Sequence, residues 1–183
     1  MKILIATQNS SKFNIISKMI KSILGENVEL KNLNEYKDYK DEIEIGDNLN
    51  RAKQKAYNAK KQIKEDFDIV LGIDDGIILE DIEYVSVKDK LYDIVVGDKY
   101  PIGETIYITR AYYLINKNNE EIYVLNKIPY VIQKKLEQID SVGYPLNDVI
   151  STIDNDIVLS SRDEEELNEY FLKYSIKDLK NIF

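Results

Sequence analysis

A chain of 183 residues is long enough to bury one sizeable hydrophobic core, and no Pro-, Gly- or Ser-rich stretch marks a linker, so a single domain over 1–183 is expected. The absence of Cys and His removes disulfides, thiol and imidazole nucleophiles and the usual zinc ligands, which leaves carboxylates, Lys, Arg, hydroxyls, amides or an oxygen-held metal for any chemistry. A net charge of −8 without a basic cluster argues against duplex nucleic acid as a partner, and no apolar run suits a bilayer span or a signal peptide, so a cytoplasmic protein without a membrane role is expected.

Ile3 to Ala6 reads as a buried strand, and it breaks into the polar turn Thr7-Gln8-Asn9-Ser10-Ser11-Lys12. Phe13, Ile16, Met19, Ile20 and Ile23 then recur at helical spacing until Gly25 ends the run, and Val28 to Leu33 suits a second strand. From Asp47 to Lys64, Leu49, Ala52, Ala56, Ala59 and Ile63 form a narrow stripe of mostly small residues, the pattern of a helix that packs closely on a sheet. Asp68 to Ile73 reads as a third strand ending in Asp74-Asp75-Gly76. Between Ile77 and Asn126 the runs Tyr84–Val87, Tyr92–Val96 and Thr105–Thr109 predict a β meander. Pro129 is placed to open a helix through Ile139, Asp148 to Leu159 suits a strand, and Arg162 to Tyr174 suits an amphipathic helix with Leu167, Tyr170 and Phe171 inward. This order predicts an α/β chain with one mixed sheet and helices packed on it.

Two constellations bear on chemistry. A strand that delivers Thr7, Asn9, Ser10 and Lys12 to a helix N-terminus can cradle an anion, because the first helical N–H groups lack partners and the helix dipole is positive there. The alternative is that Asn9, Ser10 or Ser11 only caps the helix while Lys12 is solvated. Asp74 and Asp75, read as leaving a neighbouring strand, would face the same crevice. Carboxylates beside phosphates need a cation between them, and the hard divalent ion Mg²⁺ fits. Glu42 and Glu44, before the Lys-rich helix, are further acidic candidates.

The stretch from Lys2 to Lys12 resembles the opening strand and T-x-N-x-x-K loop of the inosine triphosphate pyrophosphatases, the Ham1-like non-standard purine nucleoside triphosphate pyrophosphatases. Glu44-Ile45-Gly46 with Ala52-Lys-Gln-Lys-Ala56 looks like that family's acidic segment and following helix, and Ile73-Asp74-Asp75-Gly76-Ile77 looks like its D-D-S-G-L. The resemblance implies an elongated mixed sheet flanked by helices, an ITPase-like architecture of the anticodon-binding or Maf-like kind. It also implies a homodimer and Mg²⁺-dependent hydrolysis of a nucleoside triphosphate to the monophosphate and pyrophosphate.

By the same match Asp74 takes the place of a carboxylate concerned with metal and water, Asp75 takes the Ser place, and Glu44 resembles the other metal ligand, with Glu42 an equal contender. Thr7, Asn9, Ser10 and Lys12 would hold phosphates. Val142-Gly143-Tyr144-Pro145 is similar to the G-Y-D-P base loop without its Asp, and Ser160-Ser161-Arg162 is similar to S-H-R without its His, so Tyr144, Ser161 and Arg162 are carried over as substrate contacts. Two alternatives stay open: Tyr144 as a core or turn aromatic, and Arg162 as a helix-start partner of Glu165 or Glu166. Ile73 stands where the family has its first Asp, and the phosphate and metal half is better kept than the purine-reading half. An enzyme with altered base preference and a nucleotide-binding relative without catalysis both fit that asymmetry.

Overall fold

In the computed structural model, which describes residues 1–139, 145–180 and 183, strand β1 (Lys2–Ala6) lies between two parallel neighbours. These are β2 (Glu29–Asn32), paired as Lys2 with Glu29, and β3 (Ile69–Leu79), paired as Ile3 with Ile69. A strand paired on both edges and covered on both faces needs an unbroken apolar run, and Ile3, Leu4, Ile5 and Ala6 are all buried. The two parallel connections are made through helices α1 (Ser10–Leu24) and α2 (Asn48–Gln62).

The remaining elements are β4 (Ile82–Tyr84), α3 (Leu91–Val95), β5 (Thr105–Asn116), β6 (Glu121–Ile132), β7 (Ile150–Thr152) and α4 (Glu164–Leu179). The sheet order is β2-β1-β3-β5-β6-β7, with β4 paired to β3. Because β3–β4 and β6–β7 are antiparallel, the sheet is mixed, and the chain is an α/β fold with four helices among its described residues.

Two compact units divide the chain: residues 1–74, 110–126 and 175–183, and residues 75–109 and 127–174. The first has a core of Leu4, Ala6, Val70, Ala111 and Ile115 with the small stripe Ala52, Ala56 and Ala59 of α2. That stripe lets α2 approach the sheet closely: a Cβ built on Gly72 would meet the Ala52 carbonyl oxygen at 1.9 Å and the Ala56 nitrogen at 2.8 Å. A second set of contacts flanks that stripe on α2, where the Tyr57 and Tyr113 hydroxyls donate to Glu121 and Lys53 Nζ lies 3.4 Å from its Oε2. Shortly before β3, Glu65 accepts from Lys2 Nζ and the Tyr36 hydroxyl and lies 3.1 Å from Lys31 Nζ. These donors hold its carboxyl at about 2, the Lys2 bond contributing most.

The second unit is built around Ile77, Ile94, Tyr100, Ile106, Ile128, Tyr130 and Ile150. Its β3–β4 hairpin turns through Glu80 and Asp81, both at positive φ (49° and 63°), the two-residue geometry that matches strand twist.

Several sequence expectations are corrected here. Residues Tyr92–Val96 do not form a strand: α3 covers Leu91–Val95, and Ile94 and Val95 are both fully buried as neighbours, which a pleated strand with one wet face does not allow. Tyr84 closes β4 instead of opening a strand to Val87. Pro129 opens no helix, because Asn126, Ile128, Tyr130 and Ile132 are buried at period two and that alternation holds the segment in β6. The strand expected over Asp148–Leu159 shrinks to Ile150–Thr152, flanked by 3-10 turns at Pro145–Asp148 and Leu159–Ser161. The last helix starts at Glu164, not Arg162, and runs to Leu179.

Candidate functional site

The first unit brings together two acidic side chains and two cations. Lys55 Nζ donates to Asp74 Oδ1 and lies 3.2 Å from Glu44 Oε2. Arg51 Nε lies 3.2 Å from Asp74 Oδ2 and 3.6 Å from Glu44 Oε2. Each cation therefore touches both carboxylates, and the four formal charges cancel. The Asp74 side chain is 6% exposed and that of Glu44 17%, so the pair is held largely away from solvent.

Local structure explains each position. Arg51 and Lys55 stand one helical turn apart on α2 and so project on one side. The helix begins where Asp47 Oδ1 accepts the Asn50 N–H at 2.8 Å, directly after Gly46, whose φ of +94° turns the chain into the cap. Glu44 is brought to α2 by a side-chain amide: Gln54 Nε2 donates to the Ile45 carbonyl at 2.7 Å, and its Oε1 accepts the Ile45 N–H at 3.1 Å. Gln62 grips Lys40 in the same two-point manner, at 2.8 and 2.9 Å. The polar segment before α2 is thus laid along the helix by two glutamines.

Asp74 does not follow a strand, as the sequence suggested; it lies inside β3, with Asp75 next to it. The parallel pairing of β1 and β3 ends at Ala6 and Gly72, so Asp74 stands just past the carboxyl end of β1 although its own strand continues. Successive strand residues point to opposite faces, so the half-buried Asp75 projects from β3 on the other face from Asp74. Glu42, the other contender, lies 3.6 Å from Lys61 at the surface.

The turn after β1 is fixed by its own hydrogen bonds. Thr7 Oγ1 accepts the Asn9 N–H at 3.2 Å, and Asn9 Oδ1 accepts the Lys12 N–H at 2.9 Å as the N-cap of α1. The Thr7 carbonyl accepts the Leu33 N–H at 3.2 Å and the Gln8 carbonyl accepts the Asn34 amide at 2.9 Å, which anchors the turn to the residues after β2. Asn9 caps the helix, and Ser10 stands exposed in the first turn, where helical N–H groups have no partner within the helix.

In the second unit Arg162 Nη1 donates to Thr152 Oγ1 at 2.6 Å, and Nε lies 3.1 Å from Glu166 Oε2. The helix-start pairing is thus present, with Glu166 as the partner. Arg162 lines an open pocket of about 390 Å³ with Asp154, Glu166, Glu169, Tyr170 and Lys173. Ser161 is exposed at the end of a 3-10 turn, and Tyr144 lies outside the described residues. Arg51, Lys55 and Gln54 were missed in the sequence. The signal that could have found the two cations is their i, i+4 spacing on a helix that follows Glu44.

Comparison with solved structures gives full-length matches. The chain aligns over 100% of its length with a HAM1 protein from Coxiella burnetii (TM-score 0.69, 16% identity, 98% of that chain). It aligns equally with the Ham1 protein of Staphylococcus aureus (0.66, 15%, 97%) and with a structure described as a nucleoside-triphosphatase or dITP/XTP pyrophosphatase from Mycobacterium abscessus (0.64, 18%, 98%). No curated protein matches the sequence. One family model, that of the anion-transporting ATPases, matches residues 6–169, and by sequence the chain belongs to that family. The chain carries no phosphate loop of the G-x-x-x-x-G-K-[ST] form, since none of its seven glycines stands five residues before another. The fold defines a Ham1-type α/β protein, and it covers both units where the model offers no phosphate loop. The chain has the fold of the Ham1 proteins over its full length.

Proposed function

We propose that the chain is a Mg²⁺-dependent nucleoside triphosphate pyrophosphatase that splits a non-standard purine NTP or dNTP into the monophosphate and pyrophosphate. The observation that carries the reading is the meeting of Glu44 and Asp74, from separate segments, on the same two cations.

The donor set suits a hard divalent ion. Mg²⁺ is typically held by one or two carboxylates together with substrate phosphates and water, and Asp74 Oδ2 is a buried carboxylate oxygen whose charge is met by Arg51 Nε at 3.2 Å. Among the described residues no group of three or more acidic or imidazole side chains could hold a metal alone, so Glu44 and Asp74 leave the remaining positions to substrate and solvent. When bound, such an ion neutralises phosphate charge and lowers the pKa of water.

The chain's own groups have separable tasks in this reading. Asp74 orients the attacking water and accepts its proton. The N-terminal turn of α1, with Thr7, Asn9, Ser10 and Lys12, holds the terminal phosphates through N–H groups and one ammonium. Ser161, Arg162 and Tyr144 are the substrate contacts that the family resemblance implies; the three carboxylates beside Arg162 favour a partner rich in N–H donors over a phosphate. The expected setting is a cytoplasmic homodimer.

A panel of standard and deaminated nucleoside triphosphates, assayed for pyrophosphate with Mg²⁺ and again in chelator, tests this. Chelator-sensitive release with a base preference supports the enzyme. A second reading, a nucleotide-binding relative without catalysis, is favoured by Ile73 at the place of the family's first Asp; thermal stabilisation by nucleotide without product would select it.

A further inference from the structure

We infer that Arg51 and Lys55 form a charge lock on the candidate metal ligands, so that divalent ion and nucleotide polyphosphate bind in mutual dependence and neither carboxylate is open to the ion alone. The inference rests on the nucleotide-hydrolase reading and adds an order of assembly to it.

The argument starts from charge. Glu44 and Asp74 alone would present two negative charges to a divalent ion. As built, Arg51 Nε lies 3.2 and 3.6 Å from their oxygens, and Lys55 bridges the same two groups. A dication approaching this cluster meets two cations already within contact distance of its ligands, and at 4 Å in a partly desolvated site such repulsion outweighs thermal energy several times over. A polyphosphate reverses the balance. Guanidinium and ammonium groups on long side chains pair well with phosphate oxygens, and their transfer to the phosphates leaves the carboxylates uncompensated.

The positions suit a movable pair. The Arg51 and Lys55 side chains are 26% and 21% exposed, whereas Asp74 is buried in β3 and Glu44 is fixed by the two-point grip of Gln54 on Ile45. The anions are held and the cations have reach. Reciprocity of linkage then requires that whatever factor the polyphosphate adds to metal affinity, the metal adds to polyphosphate affinity. If the four residues were only a structural ion-pair cluster, polyphosphate would bind equally with and without the divalent ion.

The test uses Mn²⁺ as probe, with the free ion followed by its EPR signal, on nucleotide-free protein. Arg51→Gln and Lys55→Gln should each tighten Mn²⁺ binding by about tenfold or more, a typical coupling factor, and adding Asp74→Asn should abolish the gain. Unchanged or weaker binding in variants that melt cooperatively overturns the lock. Wild-type protein supplies a measurement that no folding defect can spoil: equilibrium dialysis of the α,β-methylene analogue of inosine triphosphate should show at least about tenfold tighter binding with Mg²⁺ than in chelator. Equal binding in both conditions overturns the lock and leaves nucleotide recognition standing, whereas no binding in either overturns the underlying reading itself.

Discussion

Lys55 Nζ touches both Asp74, from the middle of strand β3, and Glu44, from the segment that precedes its own helix. The contact converts two acidic side chains that the sequence keeps apart into one group. Everything proposed for this chain depends on that convergence.

Replacing Asp74 by Asn keeps shape and removes charge. Pyrophosphate release should fall by about a hundredfold or more, the usual share of a positioned base, while circular dichroism shows a folded chain whose Tm drops by a few degrees. A fully active Asp74→Asn protein would remove Asp74 from the mechanism.

Glu42 and Glu44 separate cleanly by partner. Glu44→Gln should abolish turnover, whereas Glu42→Gln, at a surface pair with Lys61 away from the two shared cations, should stay within about twofold of wild type. Initial rates at saturating Mg²⁺ decide between them, and the reverse ranking would move the metal site.

Gln54 acts through Glu44 and touches no reacting atom. Gln54→Ala should raise the Mg²⁺ concentration for half-maximal rate by about tenfold, in line with groups that orient metal ligands, with a much smaller change in the rate at saturation. Gln54→Glu restores only the acceptor half of the grip on Ile45 and should not rescue it.

Gly72 fixes the distance between α2 and β3. Gly72→Ala forces a Cβ into the Ala52 carbonyl, and overpacking of this kind costs about 1–3 kcal/mol, a fall in Tm of roughly 3–10 °C for a chain this size. Thermal melts check the stability, and the rate should fall as well because Arg51 and Lys55 ride on the displaced helix.

Acid sensitivity has a local source at Glu65. Its carboxyl is held at about 2, against an ordinary 4.5, chiefly by Lys2, then Tyr36 and Lys31. A depressed carboxylate stabilises the fold above its unfolded value, and that contribution is lost as pH falls from about 4.5 toward 2. Glu65→Gln should flatten the dependence of Tm on pH in that window while lowering Tm near neutrality, which melts between pH 2 and 7 will show.

The parts of the fold that were legible are those where one period dominates. Ile3 to Ala6, the Ile16, Met19 and Ile20 face of α1, and the alanine stripe of α2 each announce their element because burial there follows a regular spacing. Asp74-Asp75-Gly76 misled because those residue types mark turns in isolation. In the fold, Asp74 is carried within β3 by cations from α2, a compensation that no local window contains. Leu91–Val95 is too short for periodicity to separate helix from strand, and Pro129 signalled a helix start in a segment that alternate burial assigns to β6. Of the candidate site, Glu44, Asp74 and the Thr7–Lys12 turn were readable from motif order. Arg51, Lys55 and Gln54 were hidden because their role exists only once Glu44 has been folded back onto α2.

The latch between α2 and Glu121 reaches further than stability. Lys53 and Tyr57, which meet Glu121, alternate along the helix with Arg51 and Lys55, which meet the acidic pair. Any substitution at Glu121 that lets α2 roll about its axis swings the second pair of side chains as it frees the first. Inherited change at a position well removed from the reacting atoms can therefore retune the chemistry, and a search for variants of altered activity has reason to begin on β6.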